Sequence, residues 1–276
     1  MPLDSLRDGF VRVCLDPSAN VYPAKCRLLV EGQALPAPLP NVEFDKLYEV
    51  VATRDIEAYF GLGSVLSEGL KKVFECCGNS GVEIFALPRA DAEAAVKAVY
   101  TLTITGSATT DGRLAIYMGE SDYAIVTEVN TGDTAEEVAA AVADDVVDSF
   151  PFLVTAAAGV LTFTAKNGGT VGNCLSILPN WTERPNYAPT GLTFEVEQTV
   201  QGSINPEPLD YQTVLGECCY CCIAMLYDDS DWQDGMIEYI ASAWSCDTPQ
   251  CFGHGYTYNQ GTFGQILAND TNSAEV

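Results

Sequence analysis

Basic residues are scarce in this chain of 276: 13 Lys and Arg stand against 38 Asp and Glu, for a formal net charge of −25. Phosphates are held by Lys and Arg, so direct contact with DNA or RNA is excluded as a principal role. Histidine is nearly absent, and the single His254 lies three residues from Cys251 in a Gly-rich turn, poor ground for a nucleophile that needs a base aimed at a thiolate. No run of about 18 apolar residues exists, so no transmembrane helix is expected. Residues 1–8 have no apolar segment of the kind a secretory signal carries. Without that route the glycosylation patterns at Asn180 and Asn269 read as chance matches. Gly61, Gly63 and Ser64 form too short a run for a phosphate loop and lack its lysine. The tandem cysteines do not follow the Cys-x-x-Cys redox spacing. Acidic pairs such as Asp144 with Asp145 are abundant in any acidic chain, and Asp228 with Asp229 reads as a cap for the helix that follows. No reaction can be named from these residues, no cofactor is called for, and the chain is expected not to be an enzyme.

What is present is a folded protein: 47% of residues are hydrophobic and 18% charged, ordinary values for a chain long enough to bury a sizeable core. Residues 1–40 hold Pro2, Pro17, Pro23, Pro36, Pro38 and Pro40, and proline removes backbone donors and disfavours helix. The span reads as an extended arm, with a short alternating stretch at 10–15 able to add a strand to a neighbour's sheet edge or to the chain's own core. After Ser64, a possible N-cap, Leu66, Leu70, Val73, Phe74 and Cys77 form one apolar helical stripe. Lys71 and Lys72 suit the C-terminal end of that helix, and Gly78 suits a left-handed cap.

The middle of the chain is the most patterned. Residues 101–105 and 113–118 alternate apolar and polar positions around Asp111 and Gly112, which predicts a hairpin. Residues 123–129 and 160–165 repeat the period. Between them Thr134 and Glu137 have capping-box spacing, and Val138, Val142 and Val146 give the following helix one apolar face. Residues 192–199 alternate again as a strand.

The order of three segments, AIYMGE at 115–120, TGDTAEEVAAAV at 131–142 and FTAKNGGTVGN at 163–173, resembles the inserted domain of contractile-phage tail sheath proteins. The flanks resemble the same family: a strand at 47–52, FGLGS at 60–64 with its helix, a strand at 82–87, a strand and aspartate turn at 220–229, a helix holding Trp232 and Trp244, and residues 250–254. The resemblance spans roughly residues 45–270. It implies an α+β protein with a discontinuous α/β core domain, a β-rich α+β insertion and an extended N-terminal arm: 1–40 the linking arm, 41–96 the first part of the core, 97–201 the outward-facing insertion and 202–276 the second part. It also implies a virion component, assembled in the host cytoplasm, that polymerises as a six-fold helical sheath around a tail tube protein and contracts to drive the tube through the host envelope. Family members normally continue into a tube-facing domain, so a companion polypeptide carrying that part is expected. A virion-surface carbohydrate- or receptor-binding adhesion module is the alternative.

Eleven cysteines remain to be accounted for. Four fall at 218–222, and Cys246, Cys251 and His254 could complete a zinc set. If 218–222 is a strand, however, Cys218 and Cys222 face one side while Cys219 and Cys221 face the other, which prevents convergence on one metal. The helical wheel turns Cys77 to the core and leaves Cys76 off the stripe, and buried reduced thiols behave as small hydrophobes. A released virion meets an oxidising medium in which disulfides persist. Cross-linking candidates are therefore Cys14, Cys26, Cys76, Cys174, Cys218, Cys219, Cys221, Cys222, Cys246 and Cys251, with at least one thiol left over by the odd count.

Overall fold

The structure, a computed structural model, describes residues 26–36, 42–78, 81–118, 124–180, 188–216, 218, 220–227, 229–243 and 253–257. In chain order the elements are β1 (Arg27–Gln33), β2 (Tyr48–Glu49), α1 (Thr53–Phe60), α2 (Val65–Cys77), β3 (Glu83–Arg89), β4 (Val99–Gly106), β5 (Gly112–Met118), β6 (Ala124–Val129) and α3 (Ala135–Asp144). There follow β7 (Phe152–Ala157), β8 (Val160–Ala165), a 3-10 turn (Thr170–Cys174), β9 (Ile177–Pro179), β10 (Leu192–Val200), α4 (Tyr211–Leu215), β11 (Cys222–Met225), α5 (Ser230–Ala243) and β12 (His254–Tyr256). The fold is mixed α+β, as expected. The alternating stretch at 10–15 lies outside the described residues.

One sheet has the order β12-β11-β1-β3-β2, parallel throughout except for β2, which runs antiparallel to β3 at the edge. Its central strand is β1, so the extended-arm reading of residues 1–40 is corrected over 27–33. Leu28, Leu29 and Val30 form a short apolar run with prolines on either side, and those prolines bound the strand without interrupting it. A parallel strand covered on both faces needs such a run. Successive residues serve opposite layers: Leu29 packs with Tyr211, Ile223, Met225 and Trp232, and Val30 with Ile56, Phe60, Leu66 and Leu70. Helices α1 and α2 thus cover one face, α4 and α5 the other.

The FGLGS segment turns α1 into α2. Gly61 and Gly63 have φ of 89° and 70°, and a Cβ at Gly63 would lie 2.7 Å from the Phe150 carbonyl oxygen. Ser64 caps α2 as expected, accepting from the Ser67 backbone at 3.1 Å, while the Ser67 hydroxyl donates to the Gly61 carbonyl at 2.8 Å. The expected left-handed cap at Gly78 does not form; its φ is −58°, and the helix runs out in ordinary right-handed geometry. Lys71 reaches Glu57 and Glu68, and Lys72 reaches Glu75.

Residues 99–200 supply two antiparallel sheets, β10-β4-β8-β7 and β6-β5-β9, which with α3 enclose a core of Leu102, Leu114, Ile116, Val138, Val142, Phe152 and Phe163. The hairpin predicted around Asp111 and Gly112 is absent. Strand β4 is already paired on both edges, by β8 and β10, so the chain crosses to the second sheet and β5 pairs with β6 and β9. Asp111 accepts instead from the backbone and hydroxyl of Thr131, both at 2.7 Å, which holds its carboxyl below its usual range. A tight hairpin joins β7 to β8, turned by Ala158 and Gly159 at φ of 49° and 79°, the double positive φ of such a turn. The capping box forms on both sides, with Thr134 accepting from the Glu137 backbone and Glu137 accepting from that of Thr134. Val138 and Val142 are buried and Val146 packs beside them just beyond the helix end.

Thr134→Ala should therefore destabilise the protein by about 1 kcal/mol, and Gly63→Ala by at least about 1 kcal/mol, since it combines a positive φ with a backbone collision. Urea midpoints measure both, and an unchanged midpoint for Gly63→Ala contradicts the turn geometry.

Candidate functional site

Parallel α/β sheets usually present their crevice at the carboxyl ends of the strands, where the connections diverge to opposite sides. Here that place lies beside β1, between β3 and β11, and it is filled by the protein itself. Glu31 on β1 is fully buried and Arg89 at the end of β3 is 4% exposed. Arg89 Nη1 donates to Glu31 Oε1 at 2.9 Å, and the Tyr211 hydroxyl donates to Glu31 Oε2 at 2.6 Å. Arg89 Nη2 donates to the Glu207 carbonyl at 2.6 Å. Its Nε lies within ion-pair distance of Asp45 without the alignment of a hydrogen bond. The guanidinium carbon stands 4.6 Å from the centre of the Trp232 ring, whose Nε1 donates to the Pro206 carbonyl at 2.9 Å.

Burial pushes the Glu31 carboxyl up to about 7, against the opposing pull of the Tyr211 hydroxyl and the Arg89 charge. The Tyr211 phenol is driven far above its usual range, first by burial and then by Glu31, so it remains a donor.

Two residues further along the chain from each of Glu31 and Arg89, at Gln33 on β1 and at Asp91 just past the end of β3, a second polar set begins. Gln33 donates to Asp91 Oδ1 at 2.7 Å and to the Gly168 carbonyl at 2.9 Å. Asp91 also accepts from Asn167 Nδ2 at 3.0 Å and from the Gly168 backbone at 2.8 Å. Asn167 in turn accepts from the Val65 backbone at 3.1 Å, at the start of α2. Asn205 accepts from the Thr170 backbone at 2.9 Å and donates to Asp229 at 3.2 Å, while Asp229 caps α5 through the Asp231 backbone at 3.1 Å. Lys166 donates to the Leu62 and Asp148 carbonyls. The KNGG segment at 166–169 is thus the piece through which residues 99–200 grip the parallel sheet. Its glycines leave no room: a Cβ at Gly168 would lie 2.6 Å from that of Ala95, and one at Gly169 2.6 Å from Asn205 Oδ1.

The cysteines separate into two groups. Cys76, Cys174 and Cys218 are exposed, whereas Cys26, Cys77, Cys221 and Cys222 are half-buried. The expected alternation over 218–222 fails because the strand begins only at Cys222; Cys221 sits in a bend, its backbone donating to the Arg27 carbonyl at 2.9 Å. Cys77 is therefore less exposed than Cys76, as the wheel predicts, without being sealed in the core. Cys14, Cys219, Cys246 and Cys251 lie outside the described residues. Among the described residues no three His, Cys, Asp or Glu side chains are arranged to hold a metal ion, and no helix is long and apolar enough to cross a membrane.

No family model matches the chain. It is 29% identical over 219 residues to the Mu-like prophage FluMu tail sheath protein of Haemophilus influenzae, a match covering 79% of this chain and 44% of the relative. The chain is homologous to a phage tail sheath protein. It spans less than half the length of that relative. A superposition on the flagellar cap protein FliD (domains D1-D2-D3) of Escherichia coli covers 55% of this chain and 54% of that one at 14% identity, with a TM-score of 0.21, too low to speak for a shared fold.

Glu31, Gln33, Arg89 and Asp91 belong to none of the motifs that the sequence displays. A signal existed in the charge and amide that follow Leu28, Leu29 and Val30 inside one strand-length run, where a solvated carboxylate would be out of place.

Glu31 binds its proton more tightly folded than unfolded, so its contribution to stability is complete below about pH 4.5 and is lost as pH rises through about 7, a change of about 3 kcal/mol. Glu31→Gln should remove that part of the slope in denaturation midpoints between pH 5 and 8, and an unaltered slope rules the assignment out. Arg89→Met leaves a buried carboxylate without its partner and should cost about 3–5 kcal/mol. Asp91→Ala, which strands Gln33, Asn167 and the Gly168 amide, should cost about 2–3 kcal/mol. Both are read from the same midpoints.

Proposed function

We propose that this chain is a structural subunit of a contractile phage tail sheath, which polymerises around a tail tube and contracts to drive the tube through the host envelope. The observation that carries this reading is the co-linear similarity to a tail sheath protein over 219 residues. The polar junction supports it. A sheath subunit acts by changing neighbours while keeping its own shape, and the KNGG segment ties the antiparallel sheets to the parallel sheet through hydrogen bonds that a loose linker would lack.

In this reading the core is discontinuous: strand β1 joins residues 41–96 and 202–276 as one domain, residues 97–201 are an insertion directed outward, and the chain ahead of β1 links neighbouring subunits. The partners are further copies in six-fold order and the tail tube protein. Exposed Cys76, Cys174 and Cys218, together with Cys14, Cys219, Cys246 and Cys251, are the candidates for inter-subunit disulfides, formed once the virion meets an oxidising medium. The energy of contraction lies in the difference between two packings of rigid subunits, which needs no nucleotide.

Electron microscopy of the native assembly should display six-fold rings or helical tubes containing this chain. A chain that persists as a small oligomer on the virion surface would favour an adhesion module and refute the sheath reading. Non-reducing electrophoresis of intact tails should give ladders that dithiothreitol collapses; one monomer band under both conditions removes the inter-subunit disulfides.

A further inference from the structure

The half-buried cysteines form a cluster of their own. Cys26 immediately precedes β1, Cys222 opens β11, Cys221 lies one residue before it and Cys77 ends α2, which packs on β1. Register pairs Leu28 with Cys222, and the backbone of Cys221 donates to the Arg27 carbonyl at 2.9 Å. That bond draws the Cys221 bend against the start of β1, and the Cys26 and Cys221 thiols are themselves hydrogen-bonded, with Cys222 and Cys77 near enough to act on Cys26 electrostatically.

We propose that Cys26 and Cys221 are an intrachain redox pair, which a small disulfide oxidant such as oxidised glutathione closes into a bond between the segments that lead into β1 and β11. Neighbouring parallel strands lie about 5 Å apart, and with Leu28 opposite Cys222 the register leaves Cys26 one residue off Cys221, a diagonal of roughly 6 Å that stays inside the span of about 4.4–6.8 Å a disulfide bridges. Two thiols already in hydrogen-bond contact need only side-chain rotation to close.

The chemistry balances in two exchanges. One protein thiolate attacks a sulfur of oxidised glutathione and releases a glutathione thiolate, leaving a mixed disulfide. The second protein thiolate attacks the protein sulfur of that mixed disulfide and releases the other glutathione. One S–S bond forms in the protein, two electrons pass to glutathione, and the two protons end on its thiols. The hydrogen bond to Cys221, burial and the surrounding thiols push the Cys26 thiol up to about 11, so closure should be slow at neutral pH and accelerate as pH rises toward 9.

The bond would enclose residues 26–221 in one covalent ring and leave only β11, α5 and β12 of the described elements on its far side. Resting on the sheath reading, a further consequence follows: load from a linking segment ahead of Cys26 would pass directly into β11 and not rest on the hydrogen bonds of β1 alone.

The test uses the purified full chain, light and nitrogen-15-labelled copies mixed, treated with oxidised glutathione, quenched in acid, alkylated with N-ethylmaleimide and digested with pepsin for mass spectrometry. The expected product is a peptide pair joined through Cys26 and Cys221, wholly light or wholly heavy, and absent from Cys26→Ser and Cys221→Ser but retained in Cys222→Ser. Mixed light–heavy pairs, linkage of Cys26 to Cys77 or Cys222, or alkylation of both residues after oxidation each overturn the proposal. The readout requires no polymerisation, so a closed pair in a chain that builds no rings refutes the sheath reading alone.

Discussion

Glu31 and Arg89 carry opposite charges to a place where neither reaches bulk water, and the rest of the core is arranged to make that tolerable. A charge withdrawn from water costs several kcal/mol unless paired and hydrogen-bonded. Here the carboxylate takes two donors on its two oxygens, and the guanidinium spends its own on Glu31 and a backbone carbonyl while lying against an indole face. These partners come from β1, β3, the 206–211 stretch and α5, so segments far apart in sequence must all be in place before the pair is satisfied. The pair is thus better regarded as a check on correct assembly than as a source of stability.

The polar set around Asp91 extends the same logic outward. Gln33 follows Glu31 by two residues on β1 and Asp91 follows Arg89 by two residues just past the end of β3, so the chain that brings the ion pair to α4 and α5 next brings the amide and carboxylate to the KNGG segment. In an open α/β sheet this crevice is where a ligand would rest. Here Asn167, Gly168, Thr170 and Asn205 occupy it, converting a usual binding position into a joint.

Much of this fold is legible from local pattern. The capping box at Thr134, the N-cap at Ser64, the apolar stripe of α2 and the alternating strands at 124–129, 160–165 and 192–200 are decided by neighbours within a few residues, and they form where the pattern places them. Failures occur where a distant partner decides. Strand β1 is a strand because β3 and β11 flank it, and the prolines around it gave the opposite impression. Asp111 and Gly112 have hairpin chemistry, but β4 had no free edge for β5. The strand reading of 218–222 failed because Cys221 bends toward Arg27.

By itself the sequence determined the class of the protein: acidic, mixed α+β, ordered like a tail sheath protein over most of its length. Those properties follow from composition, periodicity and motif order, which need no knowledge of what touches what. Only the tertiary structure decided which residues meet. It buried Glu31 against Arg89, closed the crevice with 166–170, and divided the cysteines into exposed ones and a cluster at the root of β1. Such contacts join positions tens to nearly two hundred residues apart, and long-range packing, which leaves no periodic trace in the chain, is what selects them.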